Sequence, residues 1–214
     1  MTDKILRLIE KDHPLTPIDC GEFAKMKVSG MNFSISAYKA AGLGHVSVMT
    51  ASGMLGLMKM DTVIVNPTEL DLPLDSYDRI LAMGNDTLIV ELYDTLLGEF
   101  SEDKLLERKE GFYYLPERDP GEHWYDSIKL ESSISKKGKK KQTADLDELA
   151  IKHLVAYLES SNDPVTDKAA KQDKARFYVN GLIEKGGPST DVFKKSIGVE
   201  KTRTLFENIL FGTK

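Results

Sequence analysis

Met31-Asn32-Phe33-Ser34-Ile35-Ser36-Ala37-Tyr38 alternates apolar and polar side chains at every step. Met31, Phe33, Ile35 and Ala37 fall on one side and Asn32, Ser34, Ser36 and Tyr38 on the other, the period-two pattern of a half-buried strand. Further strands follow closely. Gly42-Leu43-Gly44 reads as a turn into His45–Thr50, and Ala51-Ser52-Gly53 as a turn into the apolar run Met54 to Val65, which Asn66-Pro67 ends. Tyr77 to Met83 and Thr87 to Tyr93 flank Gly84-Asn85-Asp86, whose first two residues favour positive φ and a tight hairpin. Consecutive strands joined by short turns predict an antiparallel meander.

Helical periodicity brackets this region. Ile5, Leu6, Leu8 and Ile9 predict a short leading helix over residues 3–12, which Pro14 and Pro17 stop, opening a loop through Asp19-Cys20-Gly21. Ser101 can cap a helix to Glu110, with Glu102 and Asp103 suited to its positive end. Gly111–Leu115 and Trp124–Leu130 read as two further strands, and Lys136-Lys137-Gly138-Lys139-Lys140-Lys141 as a solvated loop. Leu146, Leu149, Ala150, His153, Leu154 and Leu158 line one face of a helix from about Asp145 to Ser160. More helices are expected from about Asp167 to Glu184, from Ser189 to Ile197 and from Glu200 to Phe211. The expected class is α/β of the α+β type: one domain over residues 1–214, an antiparallel sheet with helices packed on it.

The 214 residues are 41% apolar and 29% charged, an ordinary globular composition that excludes disordered, collagen-like and disulfide-scaffold classes. A net charge of −5 argues against sequence-wide affinity for nucleic acid or anionic lipid. Cys20 is the single cysteine, which excludes an internal disulfide and thiolate metal sets and fits a reducing compartment. The first ten residues alternate charged and apolar groups without a signal-peptide core, and no run approaches a membrane span. A cytoplasmic protein, expected to be monomeric, follows.

Several chemistries lack their anchors. Gly42-x-Gly44-x-x-Ser47 misses the third glycine of a dinucleotide fingerprint and leads into a strand, and no phosphate-binding loop or Gly-x-Ser-x-Gly elbow occurs. His13, His45, His123 and His153 are far apart without metal spacing, and His153 reads as a structural residue on an apolar helical face. Carboxylates are the groups placed oddly. Asp61 shares strand parity with Leu55, Leu57, Val63 and Val65, and Glu91 lies between Ile89 and Tyr93. A buried carboxyl resists ionisation and can become a proton donor near neutrality. Lys59, on the same side as Asp61, also fits a plainer reading in which that face is partly solvated.

Asp71-Leu72-Pro73-Leu74-Asp75-Ser76-Tyr77-Asp78 resembles the ferredoxin-dependent bilin reductases, whose chains carry Asp-Leu/Ile-Pro shortly before a catalytic aspartate. Leu115-Pro116-Glu117, Trp124, Ile197-Gly198-Val199-Glu200 and Ile209-Leu210-Phe211 are similar to later segments of that family in the same order. The resemblance implies a three-layer α/β/α sandwich that binds a linear tetrapyrrole between a central antiparallel sheet and C-terminal helices. It implies no bound cofactor, electrons from external ferredoxin or flavodoxin, and protons from carboxyl groups. Asp78 falls on the protonating aspartate, and Asp61 on a position where relatives have histidine or asparagine, as a second donor or a partner to pyrrole nitrogens. Met49, Asp71, Glu91 and Gly187 are candidate substrate contacts. Met49 and Gly187 fall where the family has glutamate and aspartate, two departures that put the reaction and its regiochemistry in question. Lys136, Lys137, Lys139, Lys140 and Lys141 would dock an acidic redox protein. Two alternatives stand beside the reductase: a non-catalytic tetrapyrrole carrier, and an interaction module using the helical third and the lysine run.

Overall fold

A computed structural model describes residues 1–53, 56–160, 163–187 and 189–214. Helix α1 (Thr2–Asp12) precedes strands β1 (Leu15–Ile18), β2 (Lys25–Val28), β3 (Met31–Ala40), β4 (Gly44–Gly53), β5 (Met58–Pro67), β6 (Leu74–Ala82) and β7 (Asn85–Tyr93). Helix α2 (Asp103–Glu110), strand β8 (Ile134–Lys139) and helices α3 (Thr143–Leu158), α4 (Lys168–Lys185), α5 (Thr190–Ile197) and α6 (Val199–Thr204) follow, and α6 passes into a π-helical stretch, Leu205–Leu210. The strands form one antiparallel sheet in the order β1-β3-β4-β5-β6-β7-β8, with β2 also paired to β3. Helices cover both faces, giving the expected three-layer α/β/α sandwich.

Strand alternation sends the side chains into two separate cores. On the first face Val46, Val48, Val63, Val65, Leu88, Val90 and Leu92 pack beneath Ile5 and Ile9 of α1, Leu105 of α2, and Leu146, Leu149 and Leu154 of α3. On the second face Phe33, Ile35, Ala37, Met49, Ile64, Leu74 and Tyr93 meet Tyr178, Val179 and Leu182 of α4, Phe193 of α5, and Leu205, Phe206, Ile209 and Leu210. Each fully buried Leu, Ile or Phe contributes about 1.5–3 kcal/mol, so these two interfaces dominate cohesion. Three sheet side chains fix the chain's end on the second face. His45 Nε2 donates to the Ile209 carbonyl (2.8 Å), Ser47 Oγ to Leu210 (2.7 Å) and Asn66 Nδ2 to Phe211 (2.7 Å).

Several elements differ from the sequence expectation. Leu15–Ile18, expected to be loop, is a strand on β3. Its Pro17 sits at the sheet margin, where a missing N–H costs no interior ladder bond. Ala51-Ser52-Gly53 is not a turn but the end of β4, paired with Met58–Met60, so β5 begins later than the apolar run suggested. Met54 and Leu55, the start of that run, lie outside the described residues.

Gly111–Leu115 and Trp124–Leu130 are not strands. The first is a series of turns that inserts Phe112 and Leu115 into the first core, and the second holds a 3₁₀ turn, Asp126–Ile128, touching the sheet at one bridge between Tyr93 and Lys129. The strand paired to β7 is β8, inside the lysine run expected to be a loop. Ile134, Lys136 and Gly138 turn inward and Lys137 and Lys139 outward. A lysine stem fills an apolar position provided its ammonium finds acceptors, and Lys136 Nζ bonds Glu117 and the Leu115 carbonyl.

Candidate functional site

Between the second face and the C-terminal helices lies a cleft of about 100 Å³ lined by Met49, Thr62, Ile64, Ser76, Asp78, Glu91, Tyr93, Tyr125, Tyr178, Leu182, Ser189, Thr190, Phe206, Leu210 and Phe211. Its polar floor comes from three neighbouring strands. Thr62 of β5 stands opposite Asp78 of β6, and Ser76 of β6 opposite Glu91 of β7. Thr62 Oγ1 donates to Asp78 Oδ1 at 2.5 Å, and the Tyr93 hydroxyl donates to Glu91 Oε2 at 2.7 Å. Lys129 Nζ lies 3.8 Å from the other Glu91 oxygen and 2.7 Å from Asp126.

Aromatic rings form the far wall. Tyr93 stacks on Tyr178 with centroids 4.0 Å apart, and Tyr125 meets both edge-on at 5.5 and 5.8 Å. Burial pushes the phenols of Tyr93, Tyr125 and Tyr178 upward, so all three are neutral donors at physiological pH. Desolvation pushes the Asp78 carboxyl up to about 6. The Thr62 hydrogen bond opposes the shift and the charge of Glu91 adds to it. Asp78 is therefore far more readily protonated near neutrality than an ordinary aspartate and can exchange between acid and carboxylate there. A conjugated planar ligand can stack on these rings while Asp78 transfers a proton to it.

The structure gathers Asp78, Glu91 and Met49 in this cleft and places the other candidates elsewhere. Asp61 is opposite Arg79 and one residue from Thr62, so its side chain leaves the opposite face of the sheet from Asp78. Of the two readings of Asp61, the structure bears out the partly solvated face shared with Lys59. The helices on that face cover Val63 and Val65 but stop short of Lys59, leaving Asp61 half-exposed in an open concavity of about 580 Å³ with Lys25, Lys27 and Lys59.

Asp71 is an anchor outside the cleft. It accepts from the amides of Leu97 and Gly98 and from Lys171 Nζ, the last at 2.9 Å. Gly187 is not itself a lining residue: it lies on a shallow surface depression with Glu122, Trp124, Lys185 and Asp191 and backs onto Leu182 and Thr190, which line the cleft. Of the lysines, Lys136 is 1% exposed and ion-paired, which removes it from any docking patch, whereas Lys137, Lys139, Lys140 and Lys141 are exposed. Thr62, Tyr93, Tyr125 and Tyr178 escaped the sequence reading because they come from four segments with no common spacing. The only signal was that Thr62 and Tyr93 continue the inward parity of Ile64 and Glu91.

Among the described residues no group of three His, Cys, Asp or Glu side chains could hold a metal ion, and no helix is long and apolar enough to cross a membrane. No protein-family model and no curated protein sequence matches the chain. Among solved structures it is similar to phytochromobilin synthase from tomato, determined in complex with biliverdin, at a TM-score of 0.77 and 14% identity. The likeness covers 99% of this chain and 82% of that one, so the two share the antiparallel sheet between two helical layers over nearly all of this chain.

Proposed function

We propose that the protein binds a linear tetrapyrrole between the second sheet face and the C-terminal helices and reduces it, with Asp78 as the proton donor. The observation that carries this reading is a single carboxyl, raised to about 6, on the floor of an aromatic cleft in a chain with the fold of a biliverdin-binding protein. Reduction of one double bond takes two electrons and two protons. Electrons arrive one at a time from an external ferredoxin or flavodoxin, attracted by Lys137, Lys139, Lys140 and Lys141. Asp78 gives the first proton, is reprotonated from solvent and gives the second, while Glu91, held by Tyr93, favours the protonated form of Asp78 by its charge.

A cleft of 100 Å³ is smaller than the roughly 300–1,000 Å³ of sites that hold drug-sized ligands, so admitting the pigment requires the helical wall to move outward. Helix α5 is bracketed by Gly186 (φ 90°) and Gly198 (φ 83°), two positions where backbone rotation is least restricted. The test is an absorbance titration with biliverdin without reductant, followed by anaerobic addition of reduced ferredoxin. Saturable broadening of the long-wavelength band and then bleaching support the reductase. Saturation without bleaching assigns a carrier, and a spectrum unchanged from free pigment removes the biliverdin reading.

A further inference from the structure

Beneath the other face of β6 a small cavity of about 10 Å³ lies between the sheet and α3, lined by Ile5, Val63, Val65, Asp75, Tyr77, Val90, Ala150, His153 and Leu154. Six of these are apolar. The remaining three carry polar atoms with no partner among the described residues: Asp75 Oδ1, Tyr77 OH and His153 Nδ1. All three side chains are enclosed, at 4%, 4% and 0% exposure. Leaving three such atoms bare is costly, and native interiors rarely do so.

The histidine defines the missing partner. His153 Nε2 lies 3.0 Å from the Ser132 carbonyl, which can only accept, so Nε2 carries the hydrogen and Nδ1 of the neutral ring is an acceptor. Burial keeps the ring neutral by pushing its pKa down to about 4, with the Ser132 bond opposing. The Tyr77 hydroxyl donates, and Asp75 Oδ1 accepts or, in the acid form, donates. A group that donates to Nδ1, accepts from the phenol and exchanges one more bond with the carboxyl completes the set. Water has that valence, and the cavity has the volume of about one water position.

We propose that Asp75, Tyr77 and His153 hold one internal water molecule that ties β6 to α3. This water is a structural ligand on the face opposite the candidate cleft, and it stands independently of the tetrapyrrole reading. It explains why an aspartate and a histidine occupy an otherwise aliphatic interface, where three aliphatic residues would leave no polar group to satisfy.

Two measurements decide it on the full-length chain. A water-selective NOE experiment should show long-lived cross-relaxation from water to the Ala150 methyl and the His153 ring, which both border the cavity. Tyr77→Phe should lower the folding equilibrium constant roughly fivefold in urea titration, because a hydrogen bond to the bound water is lost. The opposite pair of results overturns the proposal: no water cross-peak, and a Tyr77→Phe variant more stable than the parent because an unpaired buried hydroxyl has been removed.

Discussion

Asp71→Asn separates an anchoring carboxylate from a ligand-contacting one. Asp71 lies in the connection between β5 and β6 and grips two parts of the molecule. It accepts from the Leu97 amide at 3.0 Å and the Gly98 amide at 2.8 Å, and its other oxygen meets Lys171 of α4 at 2.9 Å. The Lys171 side chain is 1% exposed and also donates to the Leu72 carbonyl at 2.6 Å. Asparagine keeps an acceptor but removes the charge opposite a buried ammonium. Breaking one side of a buried pair costs about 3–5 kcal/mol, and the retained Leu72 bond puts the expected loss at the lower end, about 3 kcal/mol. With a urea m-value near 3 kcal/mol/M for a chain of this size, the midpoint should fall by about 1 M.

Combining Asp71→Asn with Lys171→Met, which removes the stranded ammonium and keeps an acceptor for the Leu97 and Gly98 amides, should recover most of that loss. The pH dependence has a definite sign. Burial raises the Asp71 carboxyl, but Lys171 and the Gly98 and Leu97 amides outweigh it and hold the pKa below its usual value. For the enclosed Lys171 ammonium, desolvation wins over the same pairing and lowers its pKa. Asp71 therefore contributes stability that is present above the unfolded carboxylate pKa of about 4 and is lost as pH falls through the lower folded value. The gap between parent and Asp71→Asn should close in that acid range. A midpoint change under about 0.3 M, or a gap that stays constant into acid, would refute the anchoring argument.

Asp78→Asn should retain biliverdin binding and reduce turnover by about 10²–10⁴-fold, and activity in the parent should decline as pH rises through about 6. Because the folded pKa of Asp78 is raised, its stability contribution is complete below pH 4 or so and is lost as pH rises through about 6. Asp78→Asn should consequently be more stable than the parent at pH 7 in urea titration. Asp61→Asn should change neither the pigment spectrum nor turnover by more than about twofold, since its side chain leaves the other face; a larger effect would contradict the register. Asp86→Ala should destabilise by about 3 kcal/mol in denaturant titration, the lower end for breaking a buried pair, because the Arg79 guanidinium keeps only Asp147 and the Thr143 carbonyl and the Thr143 hydroxyl loses its acceptor. In Gly181→Ala a new Cβ would sit 2.1 Å from the Trp124 ring, so the single tryptophan should be displaced and its emission should shift to the red.

The meander was legible because each strand keeps one buried face, and alternation survives in the sequence wherever that face is continuous. Lys136 shows the limit of such reading. By composition it belongs to a charged loop, yet it fills an inward position of β8, because Glu117 and the Leu115 carbonyl, brought from a distant segment, receive its ammonium. Trp124–Leu130 shows the converse. Its aromatics suggested a strand, but Tyr125 packs edge-on against Tyr93 and Tyr178 and draws the backbone off the sheet.

The sequence by itself determined the antiparallel meander and the helices that bracket it, since periodicity and turn residues are local properties, and the contiguous stretch Asp71–Asp78 carried the resemblance that singled out Asp78. Tertiary structure alone decided which carboxylates share a face of the sheet. A strand reverses the direction of its side chains at every residue, so the pairing of Thr62 with Asp78 sends Asp61 to the opposite face, and that register is fixed by the two cores jointly. It also decided that Asp71 anchors α4, that Tyr93, Tyr125 and Tyr178 form one wall, and that Asp75, Tyr77 and His153 line one small cavity. Each of these groupings joins residues from separate segments, and no spacing along the chain encodes the distance between them.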